Sequence, residues 1–234
     1  MTARLAVREL TGGYPGVTVF SEVSFSVESG EILTVLGANG SGKSALLETL
    51  QGLLPHRGGT VLLDGERVQD LAPEVRAARG MSLVSDRRRL FREMTVDEHF
   101  RVGAFRAEAR GGWRRRAQIL RDSFTGLARN RGVRPVSLSG GLAQQLALAR
   151  FAMSAPHVWL LDDPLQGLDS EMIGRVLEWI RTSASTGAAV ILTGQHVRAL
   201  LGVATKAMFL EAGSLSEISA NAEGLADARV RRLL

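Results

Sequence analysis

Gly37-Ala38-Asn39-Gly40-Ser41-Gly42-Lys43-Ser44 has the residue types and spacing needed to hold a triphosphate. It fits the pattern G-x-x-x-x-G-K-S, with Gly37, Gly42, Lys43 and Ser44 at the fixed positions. Glycines let the backbone curl so that successive N–H groups point at phosphate oxygens. Lys43 brings a positive charge to the β- and γ-phosphates, and Ser44 offers a hydroxyl to Mg²⁺. A helix that begins near Ser44 and Ala45 turns the positive end of its dipole toward the same anion. Only two lysines occur in the chain, Lys43 and Lys206, and one of them falls where the pattern requires it. By itself the loop specifies a nucleoside triphosphate and leaves open a kinase, a GTPase, a recombinase or a transport ATPase.

A second group with chemical potential ends the apolar run Val158–Leu161, where Asp162 and Asp163 follow directly. A buried strand that stops at a carboxylate places Asp162 at the carboxyl edge of a sheet, beside the phosphate loop. There it can hold Mg²⁺ through water.

The elements that must position these groups can be read along the chain. Leu5–Val7, Val17–Phe20 and Val23–Val27 are short strand-like runs with Gly and Pro turns between them. Ile32–Leu36 is a denser apolar run leading into the glycine-rich loop, and Leu46, Leu47 and Leu50 give the next stretch a helical pattern that Gly52 ends. Thr60–Leu63, Met81–Val84, Ala188–Leu192 and Met208–Leu210 read as further strands. Residues from roughly 92 to 154 are helical in tone and rich in arginine. Ser170 is expected to cap a helix carrying Ile173, Val176, Leu177 and Ile180 on one face, and an Ala/Arg/Leu helix closes the chain. Strands alternating with helices imply a mostly parallel sheet. The early strands suggest an antiparallel layer beside it.

Composition narrows the classes. The 234 residues are 45% hydrophobic, enough to bury a sizeable core. No apolar run approaches the ~18 residues needed to span a bilayer. The opening residues lack a secretion-signal pattern. The absence of cysteine excludes disulfides and cysteine-ligated zinc, so a cytoplasmic location is expected. A net charge of +5 includes two dense clusters, Arg87-Arg88-Arg89 with Arg92, and Arg114-Arg115-Arg116. Such runs suit nucleic acid or anionic lipid, although most charge runs are solvated faces. The scarcity of aromatics around them counts against a platform for stacked single-strand bases.

Residues 137–150, SLSGGLAQQLALAR, and 158–169, VWLLDDPLQGLD, join the phosphate loop in an order and spacing that resemble the ABC ATPase family. Leu138-Ser139-Gly140-Gly141 matches the family's signature, Val158–Asp162 its Walker B strand, and Gly167-Leu168-Asp169 its D-loop. The resemblance implies an α/β fold: a P-loop NTPase (RecA-like) core with a mostly parallel sheet, an N-terminal antiparallel β layer and a helical subdomain near residues 92–154. All of it would form a single domain over residues 1–234. It implies an ATP-binding and ATP-hydrolysing subunit that powers a membrane transporter, with ATP and Mg²⁺ as cofactors. In the family two such subunits face head to tail, so Ser139, Gly140 and Gly141 would close over the ATP held by a second ATPase subunit, in a homo- or heterodimer. Transmembrane permease subunits are the other implied partners, on the inner face of the cell membrane. Tyr14, the only tyrosine, falls about where the family places an aromatic ring against adenine. The stretch LVSDRRRLFREMTVDE at 83–98 is most similar to subunits of branched-chain amino-acid importers, and Asp86 takes the Q-loop position, near nucleotide and metal.

The pattern is altered where water is activated. Asp163 stands where most members carry the catalytic Glu, which withdraws the carboxylate by one methylene. Counting from Gly187, Gln195 takes the place of the switch histidine, and His196 follows one residue later. A glutamine can orient water but cannot take up a proton at neutral pH. Leu142 and Gln145 also depart from the usual signature helix. Two alternatives therefore stand beside the motor: an ATP-gated switch with slow or absent hydrolysis, and a soluble ABC protein acting on nucleic acid. The latter is disfavoured by the lack of a second ATPase half or a coiled-coil insertion.

Overall fold

The computed structural model describes residues 3–85, 90–105 and 112–234. Asp86 and the Arg87-Arg88-Arg89 cluster lie outside the described residues.

The first layer grows from a hairpin. β1 (Leu5–Tyr14) and β2 (Val17–Val27) are joined by Pro15 and Gly16, and the φ of 79° at Gly16 is the one a type II turn needs after proline. The two strands pair along their length, from Leu5 opposite Val27 to Tyr14 opposite Val17. β4 (His56–Leu63) and β5 (Glu66–Arg67) extend the layer into a four-stranded antiparallel sheet ordered β2-β1-β4-β5. Sequence reading splits β2 into two runs and stops β1 at Val7; both are longer. Register shifts along β1, with Glu9 at φ 49° and Glu22 at φ 53°, break the period-two alternation that such reading relies on.

The second sheet has six strands in the order β10-β9-β3-β8-β7-β6. β3 (Ile32–Leu36), β6 (Met81–Val84), β7 (Val158–Asp162), β8 (Ala189–Thr193) and β9 (Lys206–Glu211) run parallel, and β10 (Ser214–Ile218) returns antiparallel to β9. Every residue of β3, β7 and β8 is buried, because both faces are covered. On one face Leu33, Val35, Leu160 and Ile191 join Leu5, Phe20 and Val61 of the antiparallel sheet in a core that encloses α1 (Lys43–Gln51). On the other face Trp159, Leu161, Val190 and Leu192 meet the remaining helices.

α2 (Pro73–Ala78) sits instead beside α1, where Arg76 donates to the Thr49 and Leu50 carbonyls. The helices of the second face include α3 (Val96–Gly103), α4 (Trp113–Ser123), α5 (Thr125–Arg129) and α6 (Gly140–Met153), all between β6 and β7. Thr95 and Glu98 form a capping box at the start of α3. α7 (Ser170–Ser185) begins after Asp169, whose carboxylate accepts from the Met172 N–H at 2.8 Å. The cap is therefore Asp169 rather than Ser170. α8 (Val197–Leu201) follows β8, and the closing helical segment is only Ala228–Arg231. No helix among the described residues is long and apolar enough to cross a membrane.

Candidate functional site

Parallel pairing brings three strand ends to one edge. β8 lies between β3 and β7, so the loop after Leu36, the carboxylates after Leu161 and the turn after Thr193 all emerge together. Asp162 sits directly across from Thr193 in the ladder.

The phosphate loop ends in Gly42, at φ 105°, where an added Cβ would meet Val19 Cγ1 at 2.5 Å. Only glycine suits both the left-handed backbone and the close approach. No side chain caps α1 and no carboxylate lies in its first turn. Its first amides are thus left available to an anion, and the helix dipole reinforces them. α6 and α7 contrast with it, since Ser139 and Asp169 occupy their own helix starts. Lys43 Nζ donates across the loop to the carbonyls of Gly37 at 2.7 Å and Ala38 at 2.8 Å, with Ser41 Oγ at 3.5 Å. Burial lowers the Lys43 pKa, and the charges of Asp162 and Asp163 oppose that shift. Lys43 and both aspartates line the same cavity.

A cavity of about 340 Å³ opens over this edge. Asn39, Gly40, Gly42, Lys43, Ser44 and Ala45 line one side, and Asp162, Asp163, Gln166, Thr193, Gly194 and Gln195 the other. Tyr14 stands at its margin, about half exposed, with Val19. Gly37 does not line this cavity, its carbonyl accepting from Lys43 Nζ, while Ala38 and Ser41 line a separate cavity bounded by Phe209 and Arg232. His196 is exposed at the start of α8 and does not line the main cavity, whereas Gln195 does. Ser139, Gly140 and Gly141 lie away from it. Ser139 Oγ accepts from the Leu142 N–H at 3.3 Å, and a Cβ on Gly141 would meet the Gly167 carbonyl at 3.0 Å. The signature thus packs on its own D-loop and presents an exposed helix start.

The two aspartates differ. Asp162 is buried, and Thr193 Oγ1 donates to its Oδ1 at 2.6 Å. Asp163 adopts φ 47°, a left-handed conformation that aspartate tolerates better than most residues. Its N–H bonds the Thr193 carbonyl at 3.1 Å, and its Oδ1 is buried with no partner among the described residues. Burial raises its pKa; the Gln195 backbone N–H opposes that, the neighbouring Asp162 charge adds to it, and His196 and Lys43 oppose it. A Cβ on Gly194 would come within 2.8 Å of Asp163 Oδ1, so the strand end closes tightly on this carboxyl.

Thr193 is a site residue that sequence reading misses. The signal was present: a hydroxyl closes the otherwise apolar run Ala189–Leu192 at the sheet edge. Gln144 is another, donating to the Pro164 carbonyl at 3.0 Å and tying the signature helix to the turn after the aspartates. Gln145 is buried, with Oε1 unpaired among the described residues.

The donor set suits Mg²⁺ but does not cage it. Ser44 and Asp162 line the cavity, and no group of three or more His, Cys, Asp or Glu side chains among the described residues could hold an ion. A hard cation here must complete its shell with phosphate and water, which is how Mg²⁺ is usually held beside nucleotides.

The sequence profile described as "ABC transporter" matches residues 20–166. The chain belongs to the ABC transporter family. It is 32% identical to the high-affinity branched-chain amino acid transport ATP-binding protein BraG of Pseudomonas aeruginosa, over 93% of each chain. It is 31% identical to the lipopolysaccharide export system ATP-binding protein LptB of Escherichia coli, over 99% of this chain and 96% of that one. Among solved structures, an ATP-binding subunit of an ABC transporter superposes with a TM-score of 0.86 at 27% identity, covering 99% of this chain and 98% of that one. The MJ0796 cassette, in a dimer bound to ADP and Pi, shares the fold with a TM-score of 0.80 at 22% identity, over 92% of this chain and 99% of that one. This ABC protein is an ATP-binding subunit that energises transport, with the cassette arrangement of an antiparallel sheet beside a mostly parallel one.

Proposed function

We propose that this subunit holds ATP·Mg²⁺ in the cavity at the sheet edge, closes with a second ATPase subunit around it, and hydrolyses it slowly. The observation that carries the reading is the meeting of Lys43, Ser44, Asp162, Asp163 and Gln195 in one cavity beside an uncapped helix start.

Residues Gly37 to Ala45 bind the phosphates: the glycines through backbone N–H groups, Lys43 through its charge. Lys43 must leave the Gly37 and Ala38 carbonyls to do so, trading two neutral acceptors for a charged one, a stronger hydrogen bond. Tyr14 offers its ring to the base. Ser44 and Asp162 hold the metal, and Thr193 fixes the orientation of Asp162. Bound Mg²⁺ would neutralise charge on the phosphates. Asp163 is the base that polarises water and Gln195 the group that orients it. Asp86 is retained as a proposed contact to nucleotide and metal. Ser139, Gly140 and Gly141 close on the partner subunit's γ-phosphate, and their exposed helix start supports this role. The chain acts as one ABC ATPase domain, with residues from about 92 to 154 as its helical subdomain.

Slow turnover follows from the position of Asp163. Its carboxyl is short, its Oδ1 is buried against the Gly194 backbone, and burial favours its protonated form. A base must be within reach and ionised to act, and a positioned base commonly supplies ~10²–10⁴ in rate. The partners are transmembrane permease subunits, at the cytoplasmic face of the membrane. BraG and LptB, one named for amino-acid transport and the other for lipopolysaccharide export, match at nearly equal identity, so neither name assigns a substrate here.

The test is ATP-dependent dimerisation. Ser139→Arg places a bulky cation at the exposed start of α6, and should abolish the ATP-held dimer in size-exclusion chromatography while the monomer still binds ATP. A variant that dimerises with ATP as wild type does would remove the signature from the closing interface.

A further inference from the structure

The chain's modest net charge conceals a strong polarisation. Fourteen arginines and five carboxylates lie between residues 87 and 134, a net +9, against fifteen basic and nineteen acidic residues elsewhere, a net −4. The phosphate site uses none of this charge.

In the described part of that region α3 and α4 are tied together at both ends, and the tip is the place where the end of α3 meets the start of α4. Arg121, near the end of α4, bonds Asp97 at the start of α3 at 2.9 Å and lies over the Phe100 ring. At the other end, Arg116 donates to the Met153 carbonyl at 3.2 Å, and a Cβ on Gly103 would meet Met153 Cβ. The end of α3 and the start of α4 therefore share one place against the end of α6. Val96, Phe100 and Ala104 turn inward from α3, and Ala117 and Leu120 from α4. Arg101, Val102, Phe105, Arg114, Arg115 and Ile119 are left outward. Phe105 is 79% exposed and Ile119 55%. Arg114 lies over the Trp113 ring, and neither Arg114 nor Arg115 has a carboxylate partner among the described residues.

We propose that this tip docks on anionic phospholipid headgroups, beside the permease that the subunit serves. The inference rests on the reading of the protein as a membrane-coupled subunit. Cations set among exposed aromatic and aliphatic side chains match a bilayer interface, where headgroups meet the charge and the acyl boundary receives the apolar groups. A nucleic-acid backbone supplies the phosphates but no apolar layer for Phe105, Val102 and Ile119.

The experiment sediments the isolated subunit with phosphatidylcholine vesicles, with and without phosphatidylglycerol. Wild type should bind only the anionic vesicles, and binding should fall as salt shortens the Debye length. An arginine near an anionic surface strengthens binding about fivefold, so Arg114→Glu with Arg115→Glu should weaken it at least about twentyfold. Phe105→Ser should weaken vesicle binding severalfold and leave binding to a DNA duplex unchanged. All variants should bind ATP as wild type does, since none of these residues lines the nucleotide cavity. Equal sedimentation of wild type and the arginine variants would overturn the proposal. So would a Phe105→Ser variant unaltered on vesicles while wild type binds DNA as tightly as lipid, which would mark a general polyanion surface. A wild-type subunit that co-purifies with its permease yet ignores phosphatidylglycerol vesicles would overturn the lipid contact and leave the transporter reading standing.

Discussion

The two sides of the nucleotide cavity differ in how completely they are built. The side proposed for the phosphates has Gly42 in its left-handed turn, α1 with no side-chain cap, and Lys43 held over the loop by two carbonyls. On the side proposed to handle water, the carboxyl of Asp163 is short, its Oδ1 is buried without a partner among the described residues, and Gln195 lines the cavity beside it. The same three strand ends position both sides, so the fold does not account for the difference. Binding a triphosphate needs backbone amides and one cation, which a loop and a helix supply. Activating water needs a side chain of the right reach and protonation state, which single residues decide.

The largest expected break in this comparison is on the phosphate side. Lys43→Ala removes the one cation among the described residues that lines the cavity and should lower ATP affinity roughly a hundredfold, in the range for losing a buried charge contact. Calorimetric titration of the folded variant checks this, and unchanged affinity would dissociate Lys43 from the phosphates.

A smaller effect is expected at the junction of the two sides. Thr193→Val keeps the shape but removes the hydroxyl that holds Asp162 Oδ1. The Mg²⁺ concentration needed to support ATP binding should rise about tenfold, as for loss of a group that orients a metal ligand. ATP binding without metal should not change, and Thr193→Ser should restore the wild-type requirement. A purely structural role for Thr193 would lower thermal stability without moving the Mg²⁺ dependence.

The smallest effect concerns the stability of the nucleotide-free protein. Asp163 has a pKa raised above 3.8 in the folded state. Folding therefore favours its protonated form, and that contribution is complete below about pH 4 and lost as pH rises through the folded value. To ionise at neutral pH the wild type must bury a charge that Asp163→Asn lacks. The variant should melt about 2 °C higher at neutral pH, in keeping with the size of the chain. The advantage should shrink steadily toward pH 4. A constant offset at all pH values would show that packing, not ionisation, separates the two proteins.

How much of this was legible in the sequence differs along the same line. The position of the loop at 37–44, running from β3 into α1, was legible because glycine spacing encodes its backbone geometry. The parallel strands β3, β7 and β8 were also legible, since burial on both faces writes a continuous apolar run. The hairpin strands were read too short because Glu9 and Glu22 sit at bulges that interrupt the alternation. β10 was missed: its burial is confined to Ile218, so Ser214–Ile218 carries almost no apolar signal. Thr193 and Gln144 were missed for a different reason. Their roles depend on contacts across 31 and 20 positions of chain, which only the sheet register and the packing of α6 bring together.

The central claim is that this subunit binds ATP with an intact cradle and is limited by the reach of Asp163. Steady-state phosphate release from wild type and Asp163→Glu, with the natural membrane partners present, tests it most directly. Glutamate restores the missing methylene, so turnover should rise at least about tenfold, a modest share of what a positioned base supplies. ATP affinity should barely change, because the attacking water is not among the ground-state phosphate contacts. Equal turnover in the two proteins at equal ATP affinity would contradict the account and show that the Asp163 carboxylate does not limit the chemical step.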